Sequence, residues 1–562
     1  MRVLVVGSGG REHALAWRIA ASPSTTSVAV MPGNPGIAQD PRCTVIPEKP
    51  TVTAILSQHP DLVIIGPEAP LVAGLADELR AEGIAVVGPS RGAARLEGSK
   101  EAAKELMDRW HIPTAAYHRC VTPEEARAAV TAMGAPVVVK ADGLAAGKGV
   151  AVCATMDEAY AAIEKIMVER AFGAAGDTVV VEEFLSGFEA SVIVLIDESG
   201  SLTLPTARDH KQIFSGNRGP NTGGMGAVAP NPALTRELMN KIDREVVQPS
   251  VVAIQDITRQ DSTVLFRGFL FIGLMIHEET VSVLEYNVRF GDPEAQAILP
   301  LMGGDVTVLF HALATGTLAD GIPRSGYHPR EGAVCAVVAA SAGYPEAVQD
   351  GVPVAAAHRG DMFFWAGVGE RTGETGVAEL VTSGGRVCAV AAYGETLATA
   401  RRDAYQQLLR VQFAGMQYRD DIGGPSVLGE ILEESEEVLL QFAKRGGILP
   451  VVVQDVASND VLMLGYANEE AVAETVRSGL ATFYSTSRQE LWTKGLQSGD
   501  TLGIEEIRVD CDQDALLYRV HIHGHGVCHT REDRDDAKSP HRRRCFYRAL
   551  SPGSRTTLTF KP

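Results

Sequence analysis

Cysteine is scarce in this chain, with eight residues in 562, too few for the disulfide frameworks that staple small secreted domains. Positive charge is scarce too. Lys plus Arg number 51 against 70 Asp plus Glu, a formal net charge of −19. That excludes a polyanion-binding scaffold but leaves room for a local basic site for a phosphorylated metabolite. No apolar run approaches the ~20 residues needed to span a bilayer. Met1–Gly7 opens as a strand, without the charged and apolar regions of a signal peptide. No internal repeat is found. These absences predict a cytoplasmic chain with no membrane and no nucleic-acid partner.

What is present is a globular composition, 45% hydrophobic and 22% charged, and a length that predicts three to five domains at ~150 residues each. Charge divides the chain. From Ala443 to Pro562 basic and acidic residues are equal, 16 of each, so the whole deficit lies upstream. Between Arg419 and Lys444 there is no positive charge, and Glu430, Glu433, Glu434, Glu436 and Glu437 crowd together between Gly423-Gly424-Pro425 and Gly446-Gly447. The pattern predicts a helical or flexible acidic connector at a domain boundary.

Up to about residue 100, the apolar runs Val3–Val6, Val28–Met31, Leu62–Ile65 and Ala85–Val87 alternate with helical stretches. Continuous hydrophobicity predicts strands buried on both faces of a doubly wound parallel sheet, whose ligands bind beyond the carboxyl ends of the strands. Gly7-Ser8-Gly9-Gly10-Arg11-Glu12 sits there, but Glu12 replaces the third glycine of a dinucleotide turn and no acid follows near the ribose position. A phosphate on the amides of Gly9–Arg11 remains open.

Lys140 to Val150 (KADGLAAGKGV) is not a Walker loop, because three residues separate Gly143 from Gly147 and Gly149 replaces the Ser or Thr. A glycine strip flanked by Lys140 and Lys148 can still fold over a triphosphate and spread its charge. Strands are predicted at Pro136–Lys140, Val179–Phe184, Phe269–Ile276, Val281–Glu285, Ala333–Ser341 and Arg386–Ala392. On the strand through Leu284-Glu285-Tyr286-Asn287, period two puts Glu285 and Asn287 on one face, a hard-oxygen pair suited to Mg²⁺.

The stretches GSGGREHALAW, GPEAPLVAGLAD, LEGSK, KADGLAAGKGV, EEFLSGFEAS, GPNTGGMGA and EYNVRFGDPEAQ together resemble phosphoribosylamine–glycine ligase (GAR synthetase), an ATP-grasp family, over roughly residues 1–425. The resemblance implies that ATP with Mg²⁺ or Mn²⁺ converts glycine to glycyl phosphate, which the amine of 5-phosphoribosylamine then attacks. By motif it implies phosphate contacts from Lys100 and Lys140 and a closing loop bearing Lys148. It implies an adenine-side hinge of Glu182, Glu183, Phe184 and Leu185, ribose contact by Glu189, and metal held by Glu285 and Asn287. Asp209, Asn221, Thr222, Gly223, Gly224, Arg289 and Asp292 are implied at the reacting acyl phosphate and amine. Gly9, Gly10, Arg11, Glu12 and Glu68 are implied near phosphoribosylamine. No covalent enzyme intermediate is implied, so catalysis is positioning and charge stabilisation.

Downstream, Asp510-Cys511-Asp512-Gln513-Asp514 lies between apolar runs and is predicted on a strand, its three aspartates on one face and Cys511 on the other. An EF-hand is excluded, because Ala515 stands at the sixth position and His521 at the twelfth. Three clustered carboxylates call for a hard cation such as Mg²⁺. Cys511, Cys528 and Cys545 lack the paired spacing of structural zinc fingers; three thiolates without an obvious fourth ligand suggest Zn²⁺ with an open position for water.

GGILPVVVQD, VLMLGYANEEA, YSTSRQELWTKGLQSG, DCDQDAL, GVCHT and RRRCFYR resemble phosphoribosyl-AMP cyclohydrolase over roughly residues 443–550. That implies hydrolytic opening of the purine ring of phosphoribosyl-AMP. It also implies zinc on Cys511, Cys528 and Cys545, magnesium on Asp510, Asp512 and Asp514, and proton transfer by His529. Ser487, Arg488, Trp492 and Lys494 offer phosphate and ring contacts. The family shares its zinc site between two chains, so a homodimer is implied. This chain departs from the family in the residues Arg531–Arg544, inserted before Cys545.

The expected architecture is therefore multidomain α/β and α+β. It comprises a Rossmann-like pre-ATP-grasp domain at 1–100 and an ATP-grasp domain at 101–328 with a small lid at about 113–190. A C-terminal ligase subdomain at 329–425, an acidic linker at 426–442, a small α+β zinc-dependent cyclohydrolase domain at 443–550 and a tail at 551–562 follow. The expected function is bifunctional: purine synthesis through the ligase, histidine synthesis through the cyclohydrolase. The alternative is an active ligase carrying a degenerate zinc module that serves only dimerisation.

Overall fold

The computed structural model describes residues 1–144, 149–356, 361–372, 378–428, 438–533, 535–536, 538–550 and 558–560. The chain divides into two compact units, residues 1–411 with 417–427, and residues 412–416 with 428–562. Among the described residues no helix is long and apolar enough to cross a membrane.

The first unit begins with the parallel sheet that the apolar runs predict. Its strands, in spatial order, are Thr44–Val45, Ser27–Pro32, Arg2–Gly7, Leu62–Ile65 and Ala85–Val87. Val3 to Val6 are buried on both faces. Helix Gly10–Ala20 springs from the end of the first strand, so its N-terminus lies where such sheets bind ligands.

A second, antiparallel sheet has the order Tyr117–Cys120, Val179–Glu183, Val137–Ala141, Val150–Cys153. It has its own small core against helices Pro123–Met133 and Met156–Ile163, built from Ala126, Val130, Val139, Ile163 and Val181. Its strands and helices run from Tyr117 to Glu183, inside the expected lid span of about 113–190. Strand Phe188–Ile196 leaves it to pair with Gly268–His277 in the next sheet, because a continuous apolar strand is buried only between neighbours on both sides.

That next sheet, Ser201–Thr203, Phe188–Ile196, Gly268–His277, Thr280–Asn287, is wholly antiparallel and shares one core with the N-terminal sheet. A last sheet joins Arg208–Asp209, Gly226–Ala229, Ala333–Ala340, Arg386–Gly394 and Phe363–Trp365. The C-terminal ligase subdomain therefore does not start afresh at 329. Two strands from the middle of the chain complete its sheet; one carries Asp209 and the other follows the loop through Asn221–Gly224.

The second unit is a mixed sheet in the order Val461–Ala467, Leu449–Asp455, Leu516–His523, Thr501–Val509. Helix Glu469–Ser478 and the hairpin Thr482–Ser485/Glu490–Thr493 flank it. Leu440 and Phe442 lie in this unit's core with Leu449, Val451, Phe483 and Tyr518, so the fold begins before 443. The connector's acidic run, residues 429–437, lies outside the described residues. The tail is not free either: Leu558–Phe560 pairs antiparallel with Arg548–Leu550.

Candidate active sites

In the first unit, helix Lys100–Arg109, strand Thr280–Asn287 and the lid converge on a cleft of alternating charge. Ser99 caps that helix by accepting the N–H of Ala102, which sets Lys100 in the first turn. Lys100 Nζ donates to Glu285 Oε2 at 3.2 Å. Asn287, two residues along the same strand, brings its amide within 3.5 Å of Glu285 Oε1, the juxtaposition that period two predicts. Burial opposes charge on Glu285, but Lys100, Lys211 and Lys140 outweigh it and hold the carboxyl far below its usual range.

Within its own sheet Lys140 Nζ donates to Glu182 Oε2 at 2.9 Å, and out of it to the carbonyl of Leu284 at 3.2 Å. The same Glu182 oxygen is 3.3 Å from Lys104 Nζ, while its Oε1 is buried without a hydrogen-bond partner. Burial outruns Glu182 at Lys104 and lowers its ammonium to about 8. Glu183 accepts the N–H of Ala116 at 2.9 Å, Phe184 is exposed at the end of the strand and Leu185 half-buried. Glu189 pairs with Lys211 at 2.6 Å. Lys148 lies outside the described residues.

The N-terminal turn meets this cleft. Glu12 Oε2 accepts the N–H of Gly9 at 2.7 Å, and Arg11 Nε donates to Glu12 Oε1 at 2.6 Å. A Cβ on Gly66 would stand 2.1 Å from Glu12 Oε1, and one on Gly7, at φ +133°, 2.4 Å from Glu12 Cγ. A buried carboxylate thus occupies the position where a dinucleotide turn needs its third glycine. Arg11 and Arg289 both donate to the carbonyl of Phe290 at 3.2 Å. Arg289 also pairs with Glu97 at 3.0 Å and Glu68 at 3.5 Å.

Asp292 is held by Gln296 at 2.8 Å and Arg386 at 2.9 Å. Burial pushes its pKa up, but Arg386 and Arg11 prevail and lower it. Asp209 behaves oppositely: burial and then Glu294 raise it well above the carboxylate range, and its Oδ1 has no hydrogen-bond partner. Thr222 Oγ1 donates to the carbonyl of Lys211 at 2.7 Å and accepts the N–H of Gly224 at 3.0 Å. Asn221 is exposed, and Gly223 donates to the hydroxyl of Tyr344 at 2.9 Å.

Sequence reasoning missed Lys104, Lys211, Glu97, Glu294, Tyr344 and Arg386. Lys211 and Glu294 stand within two residues of predicted positions and could have been found. Arg386, 94 residues beyond Asp292, carries no local signal.

In the second unit Asp510, Asp512 and Asp514 bring one oxygen each within 4.8 Å of one another. They do so on a turn, not on a strand. Strand Thr501–Val509 stops before them, Asp510 Oδ1 accepts the N–H groups of Asp514 at 2.9 Å and Ala515 at 3.0 Å, and Gln513 takes φ +52°. A side chain that satisfies two amides bends the chain where a strand would leave them to a neighbour. Hydrogen bonds from Lys444, ahead of burial, hold Asp514 below its ordinary value. Lys444 Nζ lies 2.5 Å from Asp514 and also touches Asp512.

Cys511 rides on that turn, exposed. Cys528 follows strand Leu516–His523, which leaves that turn, and Cys545 lies near it, but Cys511 does not gather with them into a three-ligand cluster among the described residues. Cys528 and Cys545 are free thiols that contact each other. Burial, then Cys528, raises the Cys545 thiol to about 11, with Lys494 opposing. In the insertion before Cys545, Arg531 bridges antiparallel to His541. Cys528 donates to the carbonyl of Arg542 and Arg542 to that of Thr530, both at 2.9 Å, and Cys545 donates to Leu462 at 2.7 Å. His529 is exposed beside Cys528. Trp492 stacks on Phe483 at 5.0 Å, Lys494 donates its N–H to Ala481 at 3.0 Å, and Ser487 and Arg488 gather on Ser485 at 3.4 and 3.2 Å.

A Rossmann-like base, a body sheet and a small lid closing over lysines and a Glu–Asn pair define an ATP-grasp protein. Comparison with known proteins agrees. The biotin carboxylase domain of Hydrogenobacter thermophilus 2-oxoglutarate carboxylase shares the fold, with TM-score 0.55 at 16% identity over 74% of this chain and 91% of that one. Phosphoribosylamine–glycine ligase of Mesorhizobium japonicum is 45% identical over 437 residues, 76% of this chain and 99% of its own. The crystal structure of that ligase from Thermotoga maritima has TM-score 0.62 at 34% identity, over 75% of this chain and 99% of its own. Phosphoribosylglycinamide synthetase N, ATP-grasp (A) and C domains match residues 1–97, 98–295 and 334–425. The chain belongs to the phosphoribosylamine–glycine ligase (GAR synthetase) family. Residues 463–547 match a further family, phosphoribosyl-AMP cyclohydrolase.

Proposed function

We propose that this chain is a bifunctional cytoplasmic enzyme that ligates glycine to 5-phosphoribosylamine with ATP, and opens the adenine ring of phosphoribosyl-AMP by hydrolysis. The first reaction serves purine synthesis and the second histidine synthesis. The observation that carries the ligase reading is the cluster of Lys100, Lys140, Glu285 and Asn287 in one cleft.

In this reading Lys100 and Lys140 bind the ATP phosphates, with Lys148 on the closing loop. Glu182, Glu183, Phe184 and Leu185 form the adenine side, and Glu189 takes the ribose. Glu285 and Asn287 are oxygen donors two residues apart on one strand face, and they fit a hard divalent cation. Mg²⁺ or Mn²⁺ held there would supply charge neutralisation for the nucleotide phosphates. The γ-phosphoryl passes to the glycine carboxylate. Asp209 and the Asn221–Gly224 loop hold the glycyl phosphate, while Gly9, Gly10, Arg11, Glu12 and Glu68 hold phosphoribosylamine. Arg289 and Asp292 border the point where amine and acyl carbon meet. With no enzyme nucleophile, the rate comes from placement and from preset charge.

For the second unit, the thiols of Cys528 and Cys545 form one group and the Asp510, Asp512 and Asp514 carboxylates another. Two thiols fit Zn²⁺ only incompletely, and Cys511 of a second copy would complete the set, which supports a homodimer through this domain. Zinc there supplies an acidified water near neutral pH, and the aspartates suit Mg²⁺. Trp492, Lys494, Ser487 and Arg488 bind the nucleotide, and His529 moves a proton at its ring.

The test is to assay both reactions on the purified chain with metal analysis. Expected are glycine- and phosphoribosylamine-dependent ADP formation, and phosphoribosyl-AMP hydrolysis that zinc chelation abolishes. A folded, zinc-loaded chain without hydrolysis would instead mean a degenerate module serving only dimerisation.

A further inference from the structure

Arg386 opens strand Arg386–Gly394 in the C-terminal part of the first unit, yet its guanidinium lies among residues of two other parts. Nη1 donates to the carbonyls of Gly223 and Asp292, each at 2.6 Å, and Nη2 donates to Asp292 Oδ2 at 2.9 Å. A Cβ on Gly223 would stand 3.0 Å from Arg386 Cζ, so the loop backbone closes directly on the guanidinium. Tyr344, from the same C-terminal part, accepts the N–H of Gly223 at 2.9 Å. The loop is thereby gripped through both its N–H and its C=O.

Asp292 carries the link onward. Its Oδ1 accepts from Gln296 at 2.8 Å, and Gln296 Nε2 stands 2.7 Å from where a Cβ on Gly10 would be. Asp292 Oδ2 is 3.8 Å from the corresponding point on Gly9. Asp292, held by Arg386, thus lies between the Gly9–Gly10 turn and the Gly223–Gly224 loop. In the reaction proposed above these bind different substrates. A guanidinium fork fixes direction as well as distance, which a lysine ammonium does not.

We infer that Arg386 is a positioning residue that keeps the phosphoribosylamine turn in register with the acyl-phosphate loop, so that the amine and not water takes the glycyl group. The inference rests on the ligase reading. In the productive step the amine nitrogen bonds to the acyl carbon, the carbon–oxygen bond to phosphate breaks, phosphate leaves and the amine gives up a proton. In the competing step water supplies the new oxygen and returns glycine plus phosphate. ADP forms in both, so ADP released per glycinamide ribonucleotide made reports the register.

The experiment measures that ratio, with glycine and phosphoribosylamine both present, for the full chain and for Arg386→Met, Arg386→Lys and Tyr344→Phe. The full chain should release close to one ADP per product. Arg386→Met should form product roughly 100-fold more slowly while still consuming ATP, so its ratio rises several-fold. Arg386→Lys should fall between the two, and Tyr344→Phe should show a smaller rise. An unchanged ratio in folded Arg386→Met, whether its rate is normal or uniformly reduced, would overturn the inference. If circular dichroism shows Arg386→Met unfolded, Tyr344→Phe decides, and an unchanged ratio there overturns it equally. A wild-type chain with no glycine-dependent ADP formation would refute the ligase reading instead.

Discussion

Lys100 and Glu285 form a 3.2 Å ion pair across the ligase cleft, joining the first turn of a helix to a strand 185 residues further on. Burial alone would push the carboxyl up; the lysines around it reverse the sign and keep Glu285 ionised.

Glu285→Gln keeps the shape and removes the charge. It should cost the ligase at least ~100-fold in rate, with a raised Mg²⁺ requirement, and leave phosphoribosyl-AMP hydrolysis unchanged. A magnesium titration of ADP formation checks this. Normal magnesium-dependent turnover would mean the metal is held elsewhere.

That Cys511 does not gather with Cys528 and Cys545 among the described residues makes a prediction about copies of the chain. Cys511→Ser and Cys528→Ser should each abolish hydrolysis and bound zinc while sparing the ligase. Co-refolded mixtures of the two should regain part of the hydrolysis, because one of the two sites in a mixed dimer has all three thiols. Complete inactivity of such a mixture, with mixed dimers demonstrated, would rule out a shared site.

Glu182 is the common counter-charge of Lys104 and Lys140. Removing one partner of a buried ion pair leaves an uncompensated charge and costs about 3–5 kcal/mol. Glu182→Gln should lower the urea midpoint accordingly. The deficit should shrink above pH 8, because Lys104, already lowered to about 8, sheds its proton there. A deficit that does not change with pH would exclude this cause.

Two buried histidines make the first unit acid-sensitive. His13 donates to Asp40 at 3.2 Å and accepts the N–H of Trp365 at 2.9 Å; burial lowers its pKa. His210 bridges the carbonyl of Gly226 and the N–H of Gly423, each at 3.3 Å, and burial with Arg419 and Arg208 lowers it to about 4. Above the unfolded value of about 6.5 both rings are neutral in either state, and stability is full. As pH falls towards 4 the unfolded chain binds protons that the folded one refuses, and His210 alone gives up about 3 kcal/mol. Urea midpoints between pH 7 and 4.5 should fall less steeply in His210→Gln than in the wild type. Equal slopes would show that carboxylates alone govern the acid limb.

Much of the design is local and therefore legible in the residues. Period two put Glu285 and Asn287 side by side, unbroken apolar runs announced the parallel sheet, and the charge step near Ala443 marked a second protein in the chain. Local chemistry misled once. Asp510 to Asp514 reads as a strand, but the Asp510 side chain satisfies two amides and makes a turn. The three carboxylates converge nonetheless, because alternation and a tight turn both bring positions two apart together.

What the sequence determined, then, is the inventory: which lysines, carboxylates and thiols exist, which share a strand face, and where one fold ends and another begins. Those follow from spacing, and spacing is local. Only the tertiary structure decided which distant groups meet. It brought Arg386 to Asp292 and Gly223, gave Lys104 and Lys140 one carboxylate, returned Cys545 to Cys528, and left Cys511 out of their cluster. The physical reason is that such meetings are set by how sheets pair across a hundred or more residues, and by which buried charge must find a partner once water is excluded.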